Sequence, residues 1–129
     1  MSDNRPLSPH LQIYQPQLTW LLSITHRFTG VALVFGLLMF SWWIIAVASG
    51  PGPYRVMQDF VLSWLGQMIL MGWTVALWFH MLNGIRHLVW DAGYGLSLKA
   101  VYRSGWAVVA GTAVMTVITL VAAYTAIIP

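Results

Sequence analysis

Residues 60–85 read FVLSWLGQMILMGWTVALWFHMLNGI, a stretch with no Asp, Glu, Lys or Arg. A helix crosses the hydrocarbon core of a bilayer with roughly 20 apolar residues, so this stretch can span it and still tilt. Two further runs share the property, Phe28 to Tyr54 and Ser104 to Pro129. The whole chain of 129 residues is 59% hydrophobic and 7% charged, against about 25% charged in a soluble domain. The expected fold is therefore an all-α membrane protein with three transmembrane helices in a single domain. The expected bounds are a surface segment over 1–20, helix I over 21–49, helix II over 57–90 and helix III over 103–128. A short amphipathic piece from Leu96 to Arg103 leads into helix III.

The punctuation around the spans is local. Pro6, Pro9 and Pro16 disfavour helix at the residue before each, which predicts an extended segment along the membrane surface or against a soluble partner. Ser49-Gly-Pro-Gly-Pro stops helix I, and Asp91-Ala-Gly-Tyr-Gly closes helix II. Glycines at 30, 36, 66, 72, 105 and 111 are expected to let helices approach closely. No cysteine is present, which excludes disulfides and thiolate metal sites.

The net charge of +3 follows topology rather than nucleic-acid binding. Arg5 and Arg27 precede helix I, and Arg86, Lys99 and Arg103 lie between helices II and III. Arg55 stands apart in the other loop, beside Asp59. The positive-inside rule makes the side with five of the six basic residues cytoplasmic. The N-terminus is then inside and the C-terminus periplasmic. The polar start lacks the features of a signal or transit peptide. Together with Met1 it is read as a mature N-terminus in a bacterial cytoplasmic (inner) membrane, with a processed organellar chain as the alternative.

His80 sits inside the 60–85 run, where an ionisable side chain is costly and asks for a partner, a metal or a proton path. His80, Asn83, Gly84 and His87 share one helical face, and Ser23, His26 and Arg27 share another at the start of helix I. His80 lies about 9 Å deeper than Arg86 at 1.5 Å per residue. If helices I and II are neighbours, the two faces meet at the cytoplasmic end. The arrangement suits a haem held by His80 as one axial ligand, with propionates near His26, Arg27 and His87 and with Gly84 leaving room for the macrocycle. His26 and His87 are too near the surface to reach the other face of such an iron, so the second ligand is expected from another chain. The alternative for His80 is a hydrogen-bonded core histidine or a proton relay. Ser23 and Arg27 can donate to a quinone head group as negative charge develops on it. The alternative there is a helix cap and a positive-inside anchor.

The segment Arg5-Pro-Leu-Ser-Pro-His-Leu-Gln-Ile-Tyr14, then Ser23-Ile-Thr-His-Arg-Phe-Thr-Gly30, then His80-Met-Leu-Asn-Gly-Ile-Arg-His-Leu-Val-Trp-Asp91, resembles the cytochrome b556 family of succinate dehydrogenase membrane anchors. The form Arg-Pro-Leu-Ser-Pro-His resembles its mitochondrial and alphaproteobacterial branch. The resemblance implies His80 as axial ligand of haem b, Ser23 and Arg27 as quinone contacts, and His26, joined by His87, near the haem propionates. Asp91 matches a recurring acidic position. It implies three partners: a second small anchor subunit supplying the other haem histidine, an iron–sulfur subunit and a flavoprotein subunit. Ubiquinone is the implied substrate, and the chain is implied to be non-catalytic alone, a part of the electron-transfer route from succinate. Two rivals frame this reading. A fumarate-reducing complex of the same architecture differs only in direction. A small proton-coupled transporter needs an ionisable group deep in the membrane; with every Asp outside the apolar runs, His80 alone could serve.

Overall fold

A computed structural model describes residues 16–127; the surface segment expected over 1–20 lies for the most part outside them, as does the expected end of helix III. Four helices follow in order: α1 (Leu18–Ala48), α2 (Pro51–Leu62), α3 (Trp64–Asp91) and α4 (Leu98–Ile127). Among the described residues, α1, α3 and the stretch Leu98–Ala126 of α4 are long and apolar enough to cross a membrane. The all-α, three-span fold read from the sequence is thus borne out, and the chain is a multi-pass membrane protein.

α3 stands at the centre, packed against α4 on one side and α1 on the other, while α1 and α4 touch little. The buried apolar centre is small: Leu22, Phe79 and Val108, with Leu18 and Leu82 packed on it. Most large apolar side chains point outward, as Phe35 and Leu38 do. In water this would be an aggregation surface, whereas in a bilayer it is the face for lipid and neighbouring helices. With no hydrophobic drive between helices in lipid, close packing must hold them together. Gly36 supplies it where α1 crosses α3: the indole of Trp73 lies where any Cβ at Gly36 would stand.

Two boundaries differ from expectation. The helix expected over 57–90 is two helices, broken at Ser63. This residue is extended (φ −65°, ψ 156°) and serves as both the C-cap of α2 and the N-cap of α3. Its hydroxyl donates to the Phe60 carbonyl at 2.6 Å and accepts from the Gly66 amide at 3.1 Å. The Ser63 N–H caps the Asp59 and Phe60 carbonyls as well, so one residue serves both helix ends, which makes the break cheap. Upstream, Ser49-Gly-Pro-Gly-Pro is hardly a loop. Gly50 alone turns the chain (φ 100°), and Pro51 starts α2 at the first position, where a missing N–H costs nothing. α2 buries Met57 and sets Phe60 against Trp42, ring centroids 5.6 Å apart, while Arg55, Gln58 and Asp59 stay exposed. The second difference is at α4, which runs unbroken from Leu98 and absorbs the amphipathic piece expected before helix III.

Candidate functional site

The His80 ring projects from α3 toward α1. Its Nδ1 lies 3.1 Å from the carbonyl oxygen of His26 and 3.2 Å from Oγ1 of Thr29. A carbonyl only accepts, so Nδ1 carries the proton and donates it. The Thr29 hydroxyl gives its own hydrogen to the carbonyls of Thr25 and His26, at 2.9 and 3.0 Å, leaving its oxygen able to accept from the imidazole. Nε2 is then the basic nitrogen, and it has no hydrogen-bond partner among the described residues. A histidine that holds a metal would use such a setting, in which the bond at one nitrogen fixes the tautomer and aims the other.

Gly30 makes the approach possible. A Cβ there would come within 3.1 Å of His80 Cε1, so any side chain at this position pushes on the imidazole. His26 stacks on His80, with centroids 3.9 Å apart and planes inclined by 9°, and His87 lies tilted against His26 at 5.2 Å. Stacked rings present faces to each other, not nitrogens toward a shared centre, so His26 and His80 would not hold one metal ion between them in this arrangement. Nδ1 of His26 is buried and has no partner among the described residues. Gly84 faces the same cluster; a Cβ there would stand in ordinary contact with His26 Cε1, at 3.9 Å.

Beyond His87 the polar chain continues into α4. Asn83 is fully buried; its amide nitrogen approaches His87 Nε2 at 3.4 Å and its oxygen accepts from Arg86 Nη1 at 3.3 Å. Arg86 donates from Nε to Ser104 Oγ and from Nη2 to the Val101 carbonyl, both at 2.9 Å, and stacks on Trp90 at 4.0 Å. Arg86, read from the sequence as part of a basic loop, is instead a buried strut between α3 and α4.

The structure therefore brings His26, His80 and His87 together. It brings neither Ser23 nor Arg27 into a hydrogen bond or ion pair among the described residues; Ser23 is partly exposed and Arg27 exposed at the same end of α1. Among the described residues no group of three or more His, Cys, Asp or Glu side chains could hold a metal ion. His80 offers one nitrogen, and a metal there needs its remaining ligands from elsewhere. Thr29, Asn83, Arg86 and Ser104 had no functional reading in the sequence. Thr29 sits one turn after His26, a spacing that could have raised it. Nothing in the sequence ties Arg86 to Ser104 on the next helix.

Three apolar spans, with imidazoles gathered between the first two at one end, define an integral-membrane subunit of the helical-bundle class. Residues 1–119 match the family described as succinate dehydrogenase/fumarate reductase transmembrane subunit. The chain is 48% identical over 118 residues to the succinate dehydrogenase cytochrome b556 subunit of Paracoccus denitrificans, covering 92% of this chain and 91% of that one. It is 40% identical to the subunit of the same name in Rickettsia conorii, with 90% of each covered. A mitochondrial succinate dehydrogenase cytochrome B subunit of Schizosaccharomyces pombe is 42% identical, over 83% of this chain and 62% of its own length. The chain belongs to the succinate dehydrogenase/fumarate reductase transmembrane subunit family, as the resemblance in its motifs implied.

Proposed function

We propose that this chain is the cytochrome b membrane anchor of a succinate:ubiquinone oxidoreductase and supplies one axial ligand, His80 Nε2, to a haem b. The observation that carries the proposal is the pairing of His80 Nδ1 with the His26 carbonyl, which leaves Nε2 basic and without a partner among the described residues. The buried, unpartnered Nδ1 of His26 also fits a neighbouring acceptor such as a propionate. When bound, the haem supplies a one-electron relay within the membrane. The chain's own residues do the rest. The His26 carbonyl and Thr29 hold the imidazole in one tautomer, Gly30 admits the ring, and His26, Arg27 and His87 place positive or hydrogen-bonding groups toward carboxylates at this end. A second histidine would come from another small anchor subunit; the stacking of His26 on His80, with no shared centre between their nitrogens, supports this.

Ser23 and Arg27, one turn apart and without partners among the described residues, face the other substrate. A hydroxyl and a guanidinium there would donate to the carbonyl oxygens of ubiquinone and favour its reduced, anionic forms over the neutral quinone. Succinate oxidation itself belongs to a flavoprotein subunit, and an iron–sulfur subunit delivers the electrons; the chain has no catalytic centre for succinate of its own. The basic end of the bundle faces the cytoplasm by the positive-inside rule. The family description names fumarate reductase as well, but the similar relatives carry succinate dehydrogenase names, which favours the succinate-oxidising direction. The test is His80→Leu in the assembled complex. Expected is loss of the low-spin haem spectrum, with succinate oxidation by an artificial acceptor retained. An unchanged spectrum would remove His80 as the ligand.

A further inference from the structure

A groove of about 310 Å³ runs between α3 and α4. Arg86 and Trp90 line it from α3 and Ala100, Ser104 and Ala107 from α4, with Gly95 of the connecting turn at its end. Arg86 is 6% exposed. Its guanidinium keeps its charge at any physiological pH and offers five N–H donors. Three are engaged, by a serine hydroxyl, a backbone carbonyl and an amide oxygen. Among the described residues two donors remain, and no partner carries negative charge. The Trp90 ring at 4.0 Å offsets part of the charge. A buried cation normally has an anionic partner, because the cost of removing it from water is otherwise large. Asp91, the acidic residue nearest in sequence, is exposed and makes no ion pair with Arg86. Lys99 and Arg103, both exposed, add positive charge on the turns of α4 that flank Ala100 and Ser104.

We propose that this groove binds an anionic phospholipid, its phosphate on Arg86 and an acyl chain along the slot left by Ala100 and Ala107. The planar fork of a guanidinium matches two oxygens of a phosphate, and two free N–H groups are what such a contact needs. The depth is right, since Arg86 lies about five residues, or ~8 Å, below the end of α3 at 1.5 Å per residue, within reach of the head-group layer. The walls are right as well: small or apolar residues make up the lining apart from Arg86 and Ser104, and two of them, Ile85 and Val89, are exposed at its edge. Basic pockets between transmembrane helices recognise anionic head groups on the same physical grounds. The site shares no residue with the haem and quinone reading and stands without it.

The test uses the assembled complex, delipidated in detergent and titrated with phosphatidylglycerol or phosphatidylcholine, bound lipid being counted by native mass spectrometry. A saturable phosphatidylglycerol site is expected, tighter than for phosphatidylcholine by about tenfold or more, because the choline ammonium cancels the head-group charge beside Arg86, Lys99 and Arg103 and the glycerol head group does not. Ala107→Phe fills the slot without touching any bond of Arg86 and should remove that site while leaving the haem spectrum and subunit composition unchanged. Arg86→Lys keeps the charge but loses the fork, and should weaken phosphatidylglycerol binding; if it fails to assemble, Ala107→Phe carries the test. Equal retention of the two lipids overturns the proposal, as does undiminished phosphatidylglycerol binding in Ala107→Phe. Displacement by millimolar inorganic phosphate would make the ligand a soluble anion and overturn the lipid assignment. A partner-subunit carboxylate cross-linked to this groove would overturn it equally.

Discussion

α1 and α3 meet twice through a glycine, and the two meetings differ in kind. At Gly30 the visitor is the imidazole of His80, held at Nδ1 by a carbonyl and a hydroxyl and free at Nε2. About two turns further along the same interface, at Gly36, the visitor is the indole of Trp73, whose Nε1 is buried without a partner among the described residues. The first contact is loose enough that a methyl group would be tight rather than impossible, at 3.1 Å. The second leaves no room for one at all. One crossing is therefore organised around a direction, the other around a shape. Directional chemistry needs slack on its open side, and packing allows none.

Gly36→Ala is expected to have the largest effect. The new methyl must displace the Trp73 ring or spread the helices, and overpacking of this kind costs about 1–3 kcal/mol or more. Assembly of the complex should fall, read as loss of the anchor from purified membranes. Combining it with Trp73→Leu should restore assembly, because the two sites are directly coupled; failure of the rescue would mean that the clash is not with the indole. Gly30→Ala should instead leave assembly intact and perturb the haem absorption and its midpoint potential, since the methyl pushes on His80, the proposed ligand. If both glycine variants gave the same assembly defect, the contrast between the crossings would be gone.

Ser23→Ala should lower quinone reduction by roughly 10²-fold, the scale for one lost preorganised donor. Succinate oxidation by an artificial acceptor should be unaffected; equal loss of both activities would assign the serine to assembly. Thr29→Val should be the mildest change. It removes one of two acceptors at His80 Nδ1, worth about 1 kcal/mol, and leaves the carbonyl to hold the tautomer. The imidazole becomes less basic and favours oxidised iron less, so the midpoint potential should rise while the low-spin spectrum persists. A redox titration that finds no rise would show the hydroxyl to be idle.

The parts of this molecule legible in its sequence are those governed by a period or a length. The charge-free runs mark the spans because a bilayer sets their length, and the spacings of His80 to His87 and of Ser23 to Arg27 place each set on one face because helices repeat. The break at Ser63 was not legible. A serine in an apolar stretch is compatible with continuous helix, and only the paired use of its hydroxyl by two helix ends makes it a joint. Nor was the strut from Arg86 to Ser104, which depends on how α3 and α4 are laid together. Arg86 looked like one more positive residue at a membrane face, and its burial is a tertiary fact. The stack of His26 on His80 was foreseen only as a meeting of two faces. That Nδ1 would choose a backbone oxygen required the close approach at Gly30, and that glycine had only a packing role in the sequence.

The group that orients His80 belongs to the main chain of α1, which has a genetic consequence. A side-chain acceptor can be deleted by one codon change, but the oxygen at position 26 persists whatever residue is encoded there. Mutational drift at that position can alter the stacking and the local charge without erasing which imidazole nitrogen stays available. Only bending α1 or separating it from α3 can do that, so heritable loss of this imidazole's orientation must come through changes in how the helices cross.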